Sequence, residues 1–204
     1  MKQAKLQAAV AVGMALLLGA CGGNGHRSEI AELEQARQEM VRAAEAYEAL
    51  PQDSIDAVRV WASAQLQDFE LLAGDSGIVL NRAEGAIINE VGKVRRLLKD
   101  NPKRIAQLRS SQEQVTGQIQ LLIEALESRA TVDGAGTPID STYIRVQVSA
   151  ERTSAERIAA SWEETTSYAT KALSLAARTK PAADSLGTEL RKRLAVWVLE
   201  NSAP

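Results

Sequence analysis

The chain has 204 residues, one Cys, one His and a formal net charge of −2. One Cys excludes a disulfide framework, so stability has to come from a buried core, for which the length suffices. The acidic balance argues against general nucleic-acid binding, which favours a basic domain.

The chain opens with Lys2 and Lys5, then the apolar stretch Ala8–Leu18, then Leu18-Gly19-Ala20-Cys21. A basic start, a short apolar run and small residues before a cleavage point have the layout of a secretory signal. The Cys directly after the small pair makes this segment resemble a bacterial lipoprotein signal, or lipobox. The resemblance covers residues 1–21 only. It implies removal of residues 1–20, acylation of Cys21, and a protein held to a bacterial membrane through lipid. The apolar run is shorter than the ~20 residues a spanning helix needs. Several acyl chains anchor stably, at about 0.8 kcal/mol per buried CH₂. Gly at position 22, where an Asp would mark inner-membrane retention in enteric-type bacteria, points to the outer membrane, facing the periplasm; the plasma membrane stays open. Removal of Lys2 and Lys5 leaves 22 basic against 26 acidic side chains, a net of −4.

Residues 21–27 then read as the lipidated Cys and a flexible Gly-rich tether, whose six residues after Cys21 reach at most roughly 20 Å. Residues 28–204 read as one helical domain. Its first helix carries the stripe Ile30, Leu33, Arg37, Met40, Ala44 and Tyr47, with Ser28 as its cap and Pro51 as its stop. The second starts near Asp53 or Ser54 and carries Ile55, Val58, Trp61, Ala62, Phe69 and Leu72, with Gly74 as C-cap. Asp75-Ser76 is placed to begin the third, which carries Leu80, Ala83, Ile87, Val91, Val94 and Leu98. Gly85 and Gly92 lie inside it on one face. Each costs up to about 1 kcal/mol against Ala, which predicts close approach of a neighbouring helix.

Asn101-Pro102 reads as N-cap and first residue of the fourth helix. Its seam is Ile105, Leu108, Gln112, Val115, Ile119, Leu122 and Leu126, with Gln112 in need of hydrogen-bond partners. Thr131–Thr137 reads as a loop, and Asp140 or Ser141 as the cap of a long helix near 140–178, roughly 60 Å if continuous. Its seven-residue series are Val148, Ala155, Trp162, Ala169, Ala176 and Ile144, Glu151, Ile158, Thr165, Ala172. The segment 143–148 has β-branched residues in a helical context. Pro181 is expected to end this helix, leaving Leu186, Leu190, Leu194 and Trp197 on a short last one. The expected fold is an all-α, up-and-down bundle of five to six helices.

The chemistry-bearing residues are sparse. His26, the only His, lies in the tether, so no Ser-His-Asp or Cys-His arrangement is expected in the domain. No zinc-ligand set, phosphate loop or dinucleotide fingerprint stands in the sequence, and no cofactor is expected. The carboxylates Glu124, Glu127, Glu151, Glu156, Glu163 and Glu164 lack the Glu-x-x-His pattern of a di-metal bundle and read as a solvated face. Trp61, Trp162 and Trp197 read as core anchors.

The strongest remaining signal is a basic corner of Arg95, Arg96, Lys99, Lys103, Arg104 and Arg109 around Asn101. Lys103 and Arg104 do not suit the positive end of a helix dipole, where an anion is better placed. Arg96, Lys99, Lys103 and Arg104 are the candidate contacts for an envelope protein partner or an anionic envelope component, against a solvated turn as the alternative. Residues 26–73 carry −6 and residues 74–109 carry +4, which also serves attraction within one bundle.

These features predict a non-enzymatic interaction or structural protein of the envelope. The alternatives are a helical ligand-binding or sensory domain and an immunity or exclusion-type inhibitor. A cavity lined by the tryptophans and Gln112 would favour ligand binding.

Overall fold

A computed structural model describes residues 25–74 and 78–201. The signal segment, Cys21 and the expected helix start at Asp75-Ser76 lie outside the described residues. The described chain is all-α. Its helices are α1 (Arg27–Glu48), α2 (Gln52–Ala73), α3 (Arg82–Leu98), α4 (Asn101–Glu127) and α5 (Ser141–Asn201).

Helix starts follow local chemistry. The first turn of α1 closes from Ile30 N–H to the His26 carbonyl at 3.0 Å. Ser28 therefore sits inside the helix, and its hydroxyl donates to the Glu29 carboxylate instead of capping. Pro51 stands at the N-cap position of α2. Gly74 closes α2 in right-handed backbone, its N–H donating to the Glu70 carbonyl. α3 begins at a full capping box. The Asn81 side chain accepts from the N–H groups of Ala83 and Glu84, and the Glu84 carboxylate accepts from the Asn81 N–H. This box fixes the start of α3 at Arg82, later than Asp75-Ser76. α4 begins with Arg104 N–H on the Asp100 carbonyl, so Asp100 stands one residue before the expected cap. The Asp140 carboxylate caps α5, accepting from Thr142 and Tyr143 N–H.

The preceding loop is organised by Asp133. Its carboxylate accepts from the N–H groups of Ala135 and Thr137 and from the Tyr143 hydroxyl. These donors hold the Asp133 carboxyl below its ordinary range. Gly136 supplies the left-handed residue of the turn, with φ 83°.

Pro181 does not end α5. Its missing N–H leaves one carbonyl without its helical partner, at a cost of about 3 kcal/mol. The buried stripe Ala176, Thr179, Ala183, Leu186 and Leu190 runs past it in steps of three and four, while Pro181 itself is exposed. Continuity of the core face outweighs the local break, and the expected short last helix is the end of α5.

Tertiary contacts gather in two compact units within the region expected as a single domain. The first holds the described part of Met1–Gln38 with Glu113–Glu156. It is a three-helix layer of the starts of α1 and α5 and the end of α4. Its core is Leu33 and Ala36, then Val115, Ile119, Leu122, Ile123 and Leu126, then Ile144, Val148 and Ala155.

The second unit is Glu39–Gln112 with Arg157–Pro204, described as far as Asn201. Here cross-helix pairs fix the directions. Tyr47 meets Trp162, Trp61 meets Lys180, and Asp68 meets Arg191, so the end of α1 and then α2 run with α5. Glu84 meets Arg193, Arg104 meets Tyr168, and Gln112 meets Trp162, so α3 and then α4 run against it. The five helices thus form three columns in this unit, two of them made of consecutive helices.

Candidate functional site

Of the predicted basic corner, Arg95, Arg96, Lys99, Lys103 and Arg109 are exposed and Arg104 is half-buried. Arg95 and Arg96 sit in the last turn of α3, where cations suit the dipole. Lys99 lies 3.8 Å from the Asp100 carboxylate, and Arg109 lies 3.3 Å from Glu48. Arg104 turns inward, its guanidinium 5.0 Å from the centre of the Tyr168 ring, and Tyr168 donates to the Glu164 carboxylate. Arg104 is therefore a packing cation, and the outward face of the corner is Arg95, Arg96, Lys99 and Lys103.

Beneath the corner lies a polar-aromatic network that the sequence pattern does not expose. Asn101, the first residue of α4, is 5% exposed, and its amide donates to the Tyr47 hydroxyl at 2.7 Å. The Tyr47 ring lies 5.6 Å from Trp162. The fully buried Trp162 donates its indole N–H to Gln112 Oε1 at 2.9 Å. The Gln52 amide adds a bond to the Tyr47 carbonyl. Gln112 finds its hydrogen-bond partner here. The sequence signals Asn101 as a cap, and only its seven-residue spacing to Leu108 hints at burial.

The other tryptophans differ. Trp61 is half-buried with Lys180 5.9 Å from its ring centre, and its indole N–H is enclosed without a partner. Trp197 is 39% exposed and is no core anchor.

In the first unit, His26 stands just before α1 in left-handed backbone, with φ 58°. His26 lines two grooves. One, of about 500 Å³, runs over Ile144 and Val148 and is walled by Ser28, Glu29, Ser141, Arg145 and Arg152. The other, of about 340 Å³, lies against Leu126, Arg129, Ala130 and Ile139. The larger carries both signs of charge, with Arg152 3.5 Å from Glu32. The Ser28 hydroxyl holds the Glu29 carboxyl below its ordinary range.

The remaining carboxylates divide by environment. Glu163 and Glu164 are exposed, and Glu156 pairs with Arg152 at 3.4 Å. Glu151 is half-buried, one carboxylate oxygen has no hydrogen-bond partner, and burial pushes its pKa up. Among the described residues, no group of three or more His, Cys, Asp or Glu side chains is placed to hold a metal ion.

Comparison with family models, curated proteins and solved structures finds no match for this chain.

Proposed function

We propose that the protein is a lipid-anchored component of a bacterial envelope whose helical bundle acts as a non-enzymatic interaction or structural module. The lipobox-like residues Leu18-Gly19-Ala20-Cys21 support the anchor, with the outer membrane facing the periplasm as its site. The observation that carries the reading is the start of the fold. α1 begins at Arg27, six residues after Cys21, a span of at most about 20 Å. A bundle so tethered is confined beside its membrane, which raises its effective concentration toward an envelope partner without any new contact. Arg96, Lys99 and Lys103, with Arg95, offer that partner or an anionic envelope component an exposed cationic face. No helix among the described residues is long and apolar enough to cross a membrane.

Metabolic labelling with a clickable palmitate, followed by crosslinking in native envelopes, tests both parts. Wild type should carry label and capture a specific protein, and Cys21→Ala should lose the label. An unlabelled wild type would sink the anchor. Absence of a specific partner in both forms would sink the adaptor role. Lys103→Glu combined with Arg96→Glu should weaken capture, and unchanged capture would reject the cationic face.

The larger groove at His26 favours a second reading, a site for a small zwitterionic ligand, because Glu29 and Arg145 offer both charges above an apolar floor. A thermal-shift screen of amino acids and short peptides checks it. A ligand whose stabilisation survives Arg145→Ala would not be using this groove.

A further inference from the structure

Ten large apolar side chains are exposed among the described residues, and six of them gather at one end of the second unit. They are Leu71, Val79, Val196, Trp197, Val198 and Leu199, with exposures of 39–86%. Two ion pairs bring their segments together. Arg191 binds Asp68 of α2, and Arg193 binds Glu84 of α3. One turn beyond these pairs, α2 reaches Leu71, the capping box of α3 follows Val79, and α5 reaches Val196–Leu199. Scattered exposed apolar residues need no explanation, but a concentration of this kind marks an interaction surface.

The charges around this end identify the occupant. Arg191 and Arg193 are committed to internal ion pairs. Among the described residues, the exposed charges that remain are Arg82 and Lys192 against Glu70 and Glu200. An anionic lipid surface or a strongly charged partner would call for an excess of one sign. The balance here is ordered along α5. Lys192, Val196, Leu199 and Glu200 stand at i, i+4, i+7 and i+8 and so share one helix face. Lys192 and Glu200 are equidistant in sequence from Val196. When this face meets itself about a two-fold axis at Val196, with the helices antiparallel, Lys192 of each copy lies opposite Glu200 of the other. The apolar pair Val196 and Leu199 then fills the centre. An isologous interface requires this self-complementarity.

We propose that the C-terminal turns of α5 form an antiparallel, two-fold interface between two copies of this chain, centred on Val196. Lys192 and Glu200 set its register, and Trp197 borders it. The interface uses no residue of the tether and does not depend on acylation.

The test uses the chain from residue 21 onward, which contains every described residue, carrying Cys21→Ser. Sedimentation equilibrium should give a reversible mass of twice the monomer. Leu199→Asp should weaken the dimer at least tenfold without changing the far-ultraviolet circular dichroism. Lys192→Glu and Glu200→Lys should each weaken self-association. Mixed in equal amounts, they should recover the dimer, because each opposed pair is again of opposite sign. Three results would overturn the proposal: a wild-type monomer up to about 1 mM, a dimer indifferent to all three substitutions, or single charge variants whose mixture does not recover. Flotation with neutral and anionic vesicles covers the lipid alternative. A monomer that floats through Leu199 would assign the apolar end to a membrane instead.

Discussion

The two units solve the same packing problem with different materials. The first is filled by aliphatic side chains such as Leu33, Ile119, Ile123 and Val148. The second places Tyr47, Asn101, Trp162, Thr165 and Thr179 in its interior, with Glu84 nearly buried at one end. An aliphatic core is non-directional and tolerates repacking, whereas a buried polar network stabilises only when each member keeps its partner. The second unit should therefore be the one in which single changes are felt as lost partners as well as lost volume.

The largest expected effect is at Trp162. Trp162→Ala should cost about 3–5 kcal/mol by cavity formation, and it removes the partner of Gln112. Ile119→Ala in the first unit should cost toward the low end of about 2–5 kcal/mol. Denaturant midpoints of the two variants measure the contrast, and equal losses would break the comparison.

Next comes Gly187, the one buried glycine of α5. A Cβ there would stand 3.1 Å from the Gln65 amide nitrogen and 3.6 Å from the Asp68 carboxylate. Gly187→Leu should cost roughly 1–3 kcal/mol through overpacking of α5 against α2. Thermal melting in parallel with wild type checks it.

Two carboxylates, one in each unit, should respond to acid in opposite directions. The ion pair with Arg193, and then the Asn81 N–H, lower the pKa of Glu84. Its contribution is present above the ordinary carboxylate pKa and is lost as pH falls through its lowered value. Burial raises the pKa of Glu151, so its ionised form opposes folding at neutral pH, and that opposition disappears as pH falls through the raised value. Glu151→Gln should raise the urea midpoint at pH 7 and have little effect at pH 4. Glu84→Gln should lower the midpoint at pH 7, by less at lower pH. Reversed signs would refute the assignment of the two environments.

The smallest effects are stabilising. At Gly85 in the second unit and Gly117 in the first, an added methyl group would meet nothing within 4 Å beyond its own helix backbone. Gly85→Ala and Gly117→Ala should each add up to about 1 kcal/mol. A loss at either site, read from the melting temperature, would mean that a neighbour approaches there after all.

The legible part of the sequence was the set of buried stripes. The series Val148, Ala155, Trp162, Ala169, Ala176 is buried throughout, and the α4 seam is buried except at half-buried Ile105 and Gln112. Periodicity reports such faces because helix geometry alone fixes them. Breaks were less legible. Pro181 and the start of α3 depend on whether a local signal is outweighed by core continuity or by a better cap nearby, and neither is visible in a short window. The prediction of close approach at Gly85 and Gly92 fails because the first is open and the second meets only the Arg96 side chain. The tight contact falls at Gly187 instead, where α2 crosses close. The basic corner was legible as a cluster, but the inward turn of Arg104 was not, because its stacking on Tyr168 joins residues 64 positions apart.

Two of the three columns of the second unit change helix at the same level. α1 gives way to α2 after Tyr47, α3 gives way to α4 at Asn101, and the two are joined by the Asn101–Tyr47 bond. Only α5 passes that level with an unbroken backbone. In mechanical terms this is the section with the least bending stiffness, because two of its three members lack a continuous hydrogen-bond ladder. The Arg104–Tyr168 stack and the Trp162–Gln112 bond tie α4 to α5 just beyond it, so a transverse load on the unit is resisted there by side chains and one helix.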